Sequence, residues 1–174
     1  PDVSIVAEML GGAHPAYDFS AAALRAGKSV VTSNKEVVEK FGDELLRLAE
    51  ENHVRYRFEA SVGGGIPVIS PLMHSIVTSN KVTEINAILN GTTNYILSRM
   101  GKENIDYETA LKDAQKLGYA EANPSAHVDG FVACRKICIL AAIAFGKLIP
   151  MEKVKTRGIR DITPEHIKSA ERNG

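Results

Sequence analysis

The order of apolar runs up to residue 58 predicts an α/β fold built on a doubly wound parallel sheet, with an α+β segment following it. Three observations carry this. Strand and helix patterns alternate as strand–helix–strand–helix–strand. The helix starts and stops fall on the residue types that such boundaries need. The rhythm then changes after Gly65, where the short repeated units give way to longer helical patterns.

Residues 3–10 are apolar and β-friendly and end at Gly11-Gly12, where the backbone turns. Pro15 suits the first turn of a helix that runs through Ala21, Ala22, Ala23 and Leu24 to a stop at Gly27. Residues 29–31 read as a strand. Asn34 is a good N-cap for the next helix, in which Val38, Phe41, Leu45 and Leu48 recur at helical spacing. Residues 55–58 form a third strand. Beyond Gly65, residues 66–76 read as a helix with Pro67 in its first turn, and 81–89 alternate as a half-exposed strand. Helices are expected over 92–100, over 107–117 with Gly118 as its stop, and over the nearly all-apolar run 128–145. A strand near Lys155 and a helix from Thr163-Pro164 complete the tail. The seam between the two parts falls around residues 60–66, giving domains 1–62 and 63–174.

Composition excludes several functions. Lysine plus arginine equals aspartate plus glutamate at 21 each, so no global field favours nucleic acid or an anionic membrane. No apolar run reaches the length of a membrane span, and no signal peptide is visible, so a cytoplasmic protein is expected. Cys134 and Cys138 lie four apart on one apolar helix, where they cannot bridge; they read as buried free thiols.

A parallel sheet that binds a dinucleotide needs a first strand and a Gly-x-Gly-x-x-Gly turn. Neither is present, since Gly63-Gly64-Gly65 has the wrong spacing, and Pro1 stands where an initiator methionine would. The expectation is therefore the C-terminal part of such a sheet, cut from a longer chain.

Three segments serve backbone approach better than packing. Residues 31–35, Val-Thr-Ser-Asn-Lys, run from a strand into a helix N-terminus, where open parallel sheets bind ligands. Residues 59–67 carry three consecutive glycines, a pattern of positive φ, close ligand approach or a hinge. Residues 89–95, Leu-Asn-Gly-Thr-Thr-Asn-Tyr, are small and polar between a strand and a helix. Together with Gly118-Tyr119-Ala120-Glu121-Ala122-Asn123-Pro124, and in this order, the segments closely resemble homoserine dehydrogenase over essentially the whole chain.

The resemblance implies a Rossmann-type cofactor domain followed by a substrate-binding and dimerisation domain. It implies the interconversion of homoserine and aspartate 4-semialdehyde with NADP or NAD, in threonine and methionine synthesis, by a homodimer that binds neither nucleic acid nor membrane. Lys136 matches the lysine that exchanges a proton with the substrate oxygen, a role suited to a lysine whose pKa an apolar helix depresses. Glu121 matches the carboxylate that holds the substrate ammonium, with Gly91, Thr92 and Tyr119 as further substrate contacts. Lys35 matches the lysine beside cofactor and substrate, and Gly11 and Gly118 match cofactor contacts. Glu59, Val62, Gly64 and Ile66 match a sodium site built largely of backbone carbonyls, the oxygen ligands a hard cation takes.

The chain departs from the family pattern at two positions. Where Asp-Val-x-Gly-x-Asp-Ala-x-x-Lys is usual, it reads His127-Val128-Asp129-Gly130-Phe131-Val132-Ala133-Cys134-Arg135-Lys136. Valine at 132, one helical turn before Lys136, can neither bind an amino acid nor pair with a lysine. Asp129 lies about 10.5 Å from Lys136 along a helix axis and cannot take over. A catalytically impaired module kept for dimerisation or regulation, and a dehydrogenase of a related small amino acid, are the alternatives these changes raise.

Overall fold

Three short strands, β1 (Ile5–Glu8), β2 (Ser29–Thr32) and β3 (Tyr56–Arg57), form one parallel sheet in the order β1-β2-β3. The computed structural model describes residues 2–76, 80–147 and 149–173, without the side chains of residues 75 and 76. Val6 registers with Val30 and Val30 with Tyr56; Ala7 registers with Val31 and Val31 with Arg57. Side chains alternate along a strand, so Val30, Tyr56, Glu8 and Thr32 share one face, and all four are buried. Ile5 and Val31 lie on the opposite face and are exposed.

Connectivity explains this one-sidedness. Helix α1 (Ala16–Arg25) follows β1 and α2 (Lys35–Glu51) follows β2, and two successive right-handed crossovers between neighbouring strands put both helices on the same face. Leu24 of α1 and Val37 and Leu45 of α2 are fully buried there. Asn34 caps α2 as its sequence position predicts, its side chain accepting from Glu36 N and Val37 N at 3.1 and 3.2 Å.

The chain divides into two compact units, Pro1–Ile85 with Arg135–Met151, and Asn86–Cys134 with Glu152–Gly174. All three strands belong to the first. It also holds the short helix α3 (Ala60–Gly63) and α4 (Ile69–Pro71), which continues as a π-helical turn over Leu72–Ile76. The helix expected from residue 66 starts later because the Glu59 carboxylate fixes its beginning. One oxygen accepts from Val68 N and Ile69 N at 2.6 and 2.7 Å, and the other from Ser70 N at 2.7 Å. Residues 77–79, beyond this helix, lie outside the described residues.

The second unit is helical. Helix α5 (Gly91–Glu103) packs on α6 (Tyr107–Lys116), with Ile96, Met100, Tyr107, Ala110, Leu111, Ala114, Ala120 and Val128 as its buried cluster. Ile159, Ile162 and Ile167 close the cluster from the C-terminal segment, which ends in α9 (Pro164–Asn173). The helix expected over 128–145 is two helices, α7 (Ser125–Val128) and α8 (Phe131–Phe145). Gly130 breaks the run at φ +90°, a conformation L side chains rarely adopt.

Two expected strands do not form. Residues 81–89 and those around Lys155 join no ladder among the described residues. Alternation gives a strand two faces, but a strand also needs a partner for its backbone groups. Cys134 and Cys138 are free and buried. No helix among the described residues is long and apolar enough to cross a membrane.

Candidate active site

Open parallel sheets receive ligands at the carboxyl ends of their strands. Here those ends are tied together by a buried carboxylate that sequence reasoning missed. Glu8 closes β1 and is only 4% exposed. One of its oxygens accepts from Leu10 N at 2.6 Å, and the other from the Thr32 hydroxyl at 2.5 Å. Thr32 Oγ1 in turn accepts from Asn34 N at 2.9 Å. The Asn34 amide donates to the carbonyls of Leu10 and Gly12 at 3.0 and 2.7 Å. Glu8, Thr32 and Asn34 thus hold the loop carrying Gly11 against the start of α2. An acidic residue ending an otherwise apolar strand, Ile5-Val6-Ala7-Glu8, was the signal available in the sequence. A methyl group added at Gly11 would meet nothing within 4 Å, so the loop faces open space that a bound group can use.

Lys35, the first residue of α2, is half-buried, as is Lys136 on α8. Burial pulls Lys136 below the ordinary lysine range, and the positive charge of Lys35 pulls it further. The next residue along, Arg135, reaches Glu36 and Glu39 of α2 at 4.0 and 3.9 Å. Two expected functional lysines therefore lie within electrostatic reach of each other in this unit.

The four residues expected at a sodium ion lie along one turn of the same unit. Val62 is buried, Ile66 is 68% exposed, and Gly64 turns at φ +61°. The Glu59 carboxylate is committed to the three backbone donors at the start of α4. An oxygen for a cation from residue 59 therefore falls to its carbonyl. No group of three or more His, Cys, Asp or Glu that could hold a metal is found among the described residues. A cavity of about 270 Å³ in this unit, lined by Val38, Gly42, Leu46, Phe58, Met73 and Ile139, is apolar apart from Asp43 and contains none of the expected site residues.

In the second unit the expected residues gather at the start of α5. Asn90 caps the helix, its side-chain oxygen accepting from Thr93 N at 3.2 Å. Gly91 and Thr92 follow, and the Thr92 hydroxyl donates to the Tyr119 carbonyl at 2.9 Å. The Tyr119 ring is 58% exposed and lies against Tyr95, with ring centroids 4.7 Å apart. Gly118, at φ +78°, turns the chain out of α6 into this loop. Glu121 is exposed, and the Gln115 amide of α6 donates to the Glu121 and Ala122 carbonyls at 3.1 and 3.4 Å. Gln115 is a second residue that sequence reading passed over.

The two departures from the family pattern behave differently. Val132 is buried, 4% exposed. His127 is half-buried and hydrogen-bonded to Asn90. Asp129 is paired with Arg160, which also reaches Ser125, and the guanidinium holds its carboxyl below the usual range.

Residues 1–59 match the family model described as the NAD binding domain of homoserine dehydrogenase, and residues 67–174 match the one described as homoserine dehydrogenase. The whole chain is 47% identical to a homoserine dehydrogenase of Synechocystis sp., of which it covers 40%. It superposes with a TM-score of 0.94 and 42% identity on the crystal structure of a homoserine dehydrogenase from Thiobacillus denitrificans, covering all of this chain and 40% of that one. A hyperthermophilic archaeal homoserine dehydrogenase in complex with NADPH matches 91% of this chain and 48% of its own, at 33% identity and a TM-score of 0.84. The chain spans less than half the length of these relatives. With both of its parts matched along the sequence and the backbone superposing throughout, it belongs to the homoserine dehydrogenase family.

Proposed function

We propose that this chain contributes the proton-transfer and substrate-holding groups to an NAD(P)-dependent homoserine dehydrogenase. The observation that carries this reading is the pair Lys35 and Lys136, with Lys136 kept below the ordinary lysine range by burial and a neighbouring charge. Oxidising a primary alcohol to an aldehyde requires loss of the hydroxyl proton together with a hydride. The nicotinamide supplies the hydride acceptor. A neutral Lys136 amine takes the hydroxyl proton, and its ammonium returns one in the reverse direction. Lys35, at the carboxyl end of β2, supplies positive charge beside the cofactor, and Gly11 and Gly118 let its backbone approach closely. Glu121 holds the substrate ammonium, while Gly91, Thr92 and Tyr119 line its position. The turn from Glu59 to Ile66 offers carbonyl oxygens to a sodium ion.

The remaining parts of the reading are a cytoplasmic homodimer serving threonine and methionine synthesis, with the cofactor part ending near residue 62. Likeness along the entire chain to proteins named homoserine dehydrogenase favours this reading over an impaired module or a dehydrogenase of another small amino acid.

The test is homoserine-dependent reduction of NAD and NADP by the full-length natural protein, followed through the absorbance of the reduced nicotinamide. A rate that disappears in Lys136→Met supports the proposal. A folded, cofactor-binding protein that reduces neither cofactor with homoserine would sink it.

A further inference from the structure

Asn90 is almost fully buried, and each atom of its amide has an assigned partner. Its oxygen accepts from Thr93 N at 3.2 Å, which caps α5. Its nitrogen donates to the His127 carbonyl at 3.1 Å. The same oxygen also faces His127 Nδ1 at 3.2 Å. An amide can be turned over, exchanging its oxygen and nitrogen. Turned over here, it would set nitrogen against the Thr93 N–H and oxygen against the His127 carbonyl, giving a donor–donor and an acceptor–acceptor contact. The amide orientation is therefore fixed, and Oδ1 is the atom that faces the histidine. An amide oxygen can only accept. It follows that Nδ1 of His127 carries a proton and donates.

We propose that His127 is a positioning residue, whose Nδ1–H locks the Asn90 amide and through it the first turn of α5, where Gly91 and Thr92 lie. The proposal rests on the reading of Gly91 and Thr92 as substrate contacts. A histidine can do this in either charge state, because the neutral Nδ1–H tautomer and the imidazolium both donate from Nδ1. A carboxylate at 127 cannot. It has no proton for Asn90 Oδ1, and it attracts Asn90 Nδ2 instead, which draws the amide away from the orientation that caps Thr93. His127 and Asn90 are thus matched to each other, and this chain's histidine is chemically distinct from an acid at the same place.

Two substitutions isolate the donor. The asparagine Nδ2 occupies nearly the position of the histidine Nδ1, so His127→Asn keeps a donor there. His127→Asp keeps the shape and removes it. Both are made in the full-length natural protein. In His127→Asp the Thr93 amide should exchange faster with solvent deuterium. The KM for homoserine should rise about three- to tenfold, the effect of losing one ordinary hydrogen bond, with kcat within about twofold. His127→Asn should restore both. In the unsubstituted protein, nitrogen-15 spectra should show neutral His127 protonated at Nδ1, with its signals assigned by their loss in the asparagine variant.

A histidine protonated at Nε2 alone would overturn the proposal. So would an aspartate variant with Thr93 protection and KM unchanged, or an asparagine variant as impaired as the aspartate one. If the natural protein does not oxidise homoserine, the functional reading fails, while the tautomer and the Thr93 exchange still decide the lock. If the aspartate variant does not fold, the tautomer and the asparagine variant decide it.

Discussion

Lys136 and Lys35 are coupled like charges: the half-buried ammonium of Lys136 is disfavoured first by desolvation and then by the charge of Lys35. Neither lysine would be noteworthy alone. Long basic side chains commonly run from a buried helix to water. What separates this pair from that ordinary case is that both effects act in the same direction on one amine. A lysine made partly neutral near physiological pH can serve as a base.

Removing the Lys35 charge should therefore move the pH profile. A lysine acting as base must be unprotonated, so the rate of homoserine oxidation rises as pH passes its pKa. In Lys35→Met one of the two causes of the depression is gone, the Lys136 pKa rises, and the limb of kcat against pH should move to higher pH. Lys136→Met should lower kcat by about 10²–10⁴, the usual range for a lost general base, without changing the fold. Lys35→Met with an unshifted limb would show that the two charges do not communicate. Kinetics over a pH series in constant ionic strength make the measurement.

The Glu59 carboxylate gives a stability prediction. Burial pushes its pKa up, but three backbone N–H donors outweigh burial and leave it below the ordinary glutamate value. A carboxylate so depressed stabilises the fold above its unfolded-state pKa, and that contribution is lost as pH falls through the folded-state value. Glu59→Gln keeps an oxygen for Val68 N and Ile69 N but turns an N–H toward Ser70 N. The cost should be about 0.5–2 kcal/mol near neutral pH, comparable to a lost helix cap. Denaturant titrations of both proteins should converge as the pH falls into the acid range. A constant gap at every pH would show that the charge of Glu59 is not what holds the turn.

Much of this was legible in the sequence. Asn34 announced its cap because an Asn before a helical stripe has one strong local use, and the observed hydrogen bonds follow it. The parallel sheet was legible because strands buried by helices leave apolar runs at a regular spacing. The failures lie where the decisive partner is distant in sequence or missing. Residues 81–89 alternate properly, but pairing depends on another strand, which periodicity does not report. The late start of α4 depends on Glu59, nine residues before Val68, and the break at Gly130 on a backbone conformation. Glu8 was passed over because one acidic residue at a strand end normally marks a turn, and only its burial against Thr32 reveals its part. Gln115 was invisible for the same reason: its partners are backbone carbonyls, which leave no trace in residue type.

Gln115 should matter to substrate binding more than to the fold. Its amide steadies the carbonyls of Glu121 and Ala122 without entering the apolar cluster of the second unit. Gln115→Ala should raise the homoserine KM by about three- to tenfold, with kcat and thermal stability little changed, since one hydrogen bond set typically contributes about 1 kcal/mol. A variant with unchanged KM would mean that the Glu121 loop holds its conformation without the brace.

The sharpest stability test lies where the tail crosses the turn between α7 and α8. Ile159 N donates to the carbonyl of Val128, a fully buried residue, at 2.8 Å. That close crossing is possible because residue 158 has no side chain. A methyl group at Gly158 would lie 2.6 Å from the Val128 carbonyl oxygen and 2.9 Å from Asp129 Cα. Both are backbone atoms, so no rotamer change can relieve the contact. Either the tail or the turn must move, and the Ile159–Val128 hydrogen bond weakens with it. Gly158→Ala should cost about 1–3 kcal/mol, the range for overpacked sites, and lower the melting temperature by about 2–4 °C per kcal/mol in a chain of this size. Hydrogen exchange at Ile159 should accelerate in the same variant. An unchanged melting temperature together with a protected Ile159 amide would show that the crossing has slack, and that Gly158 is not what permits it.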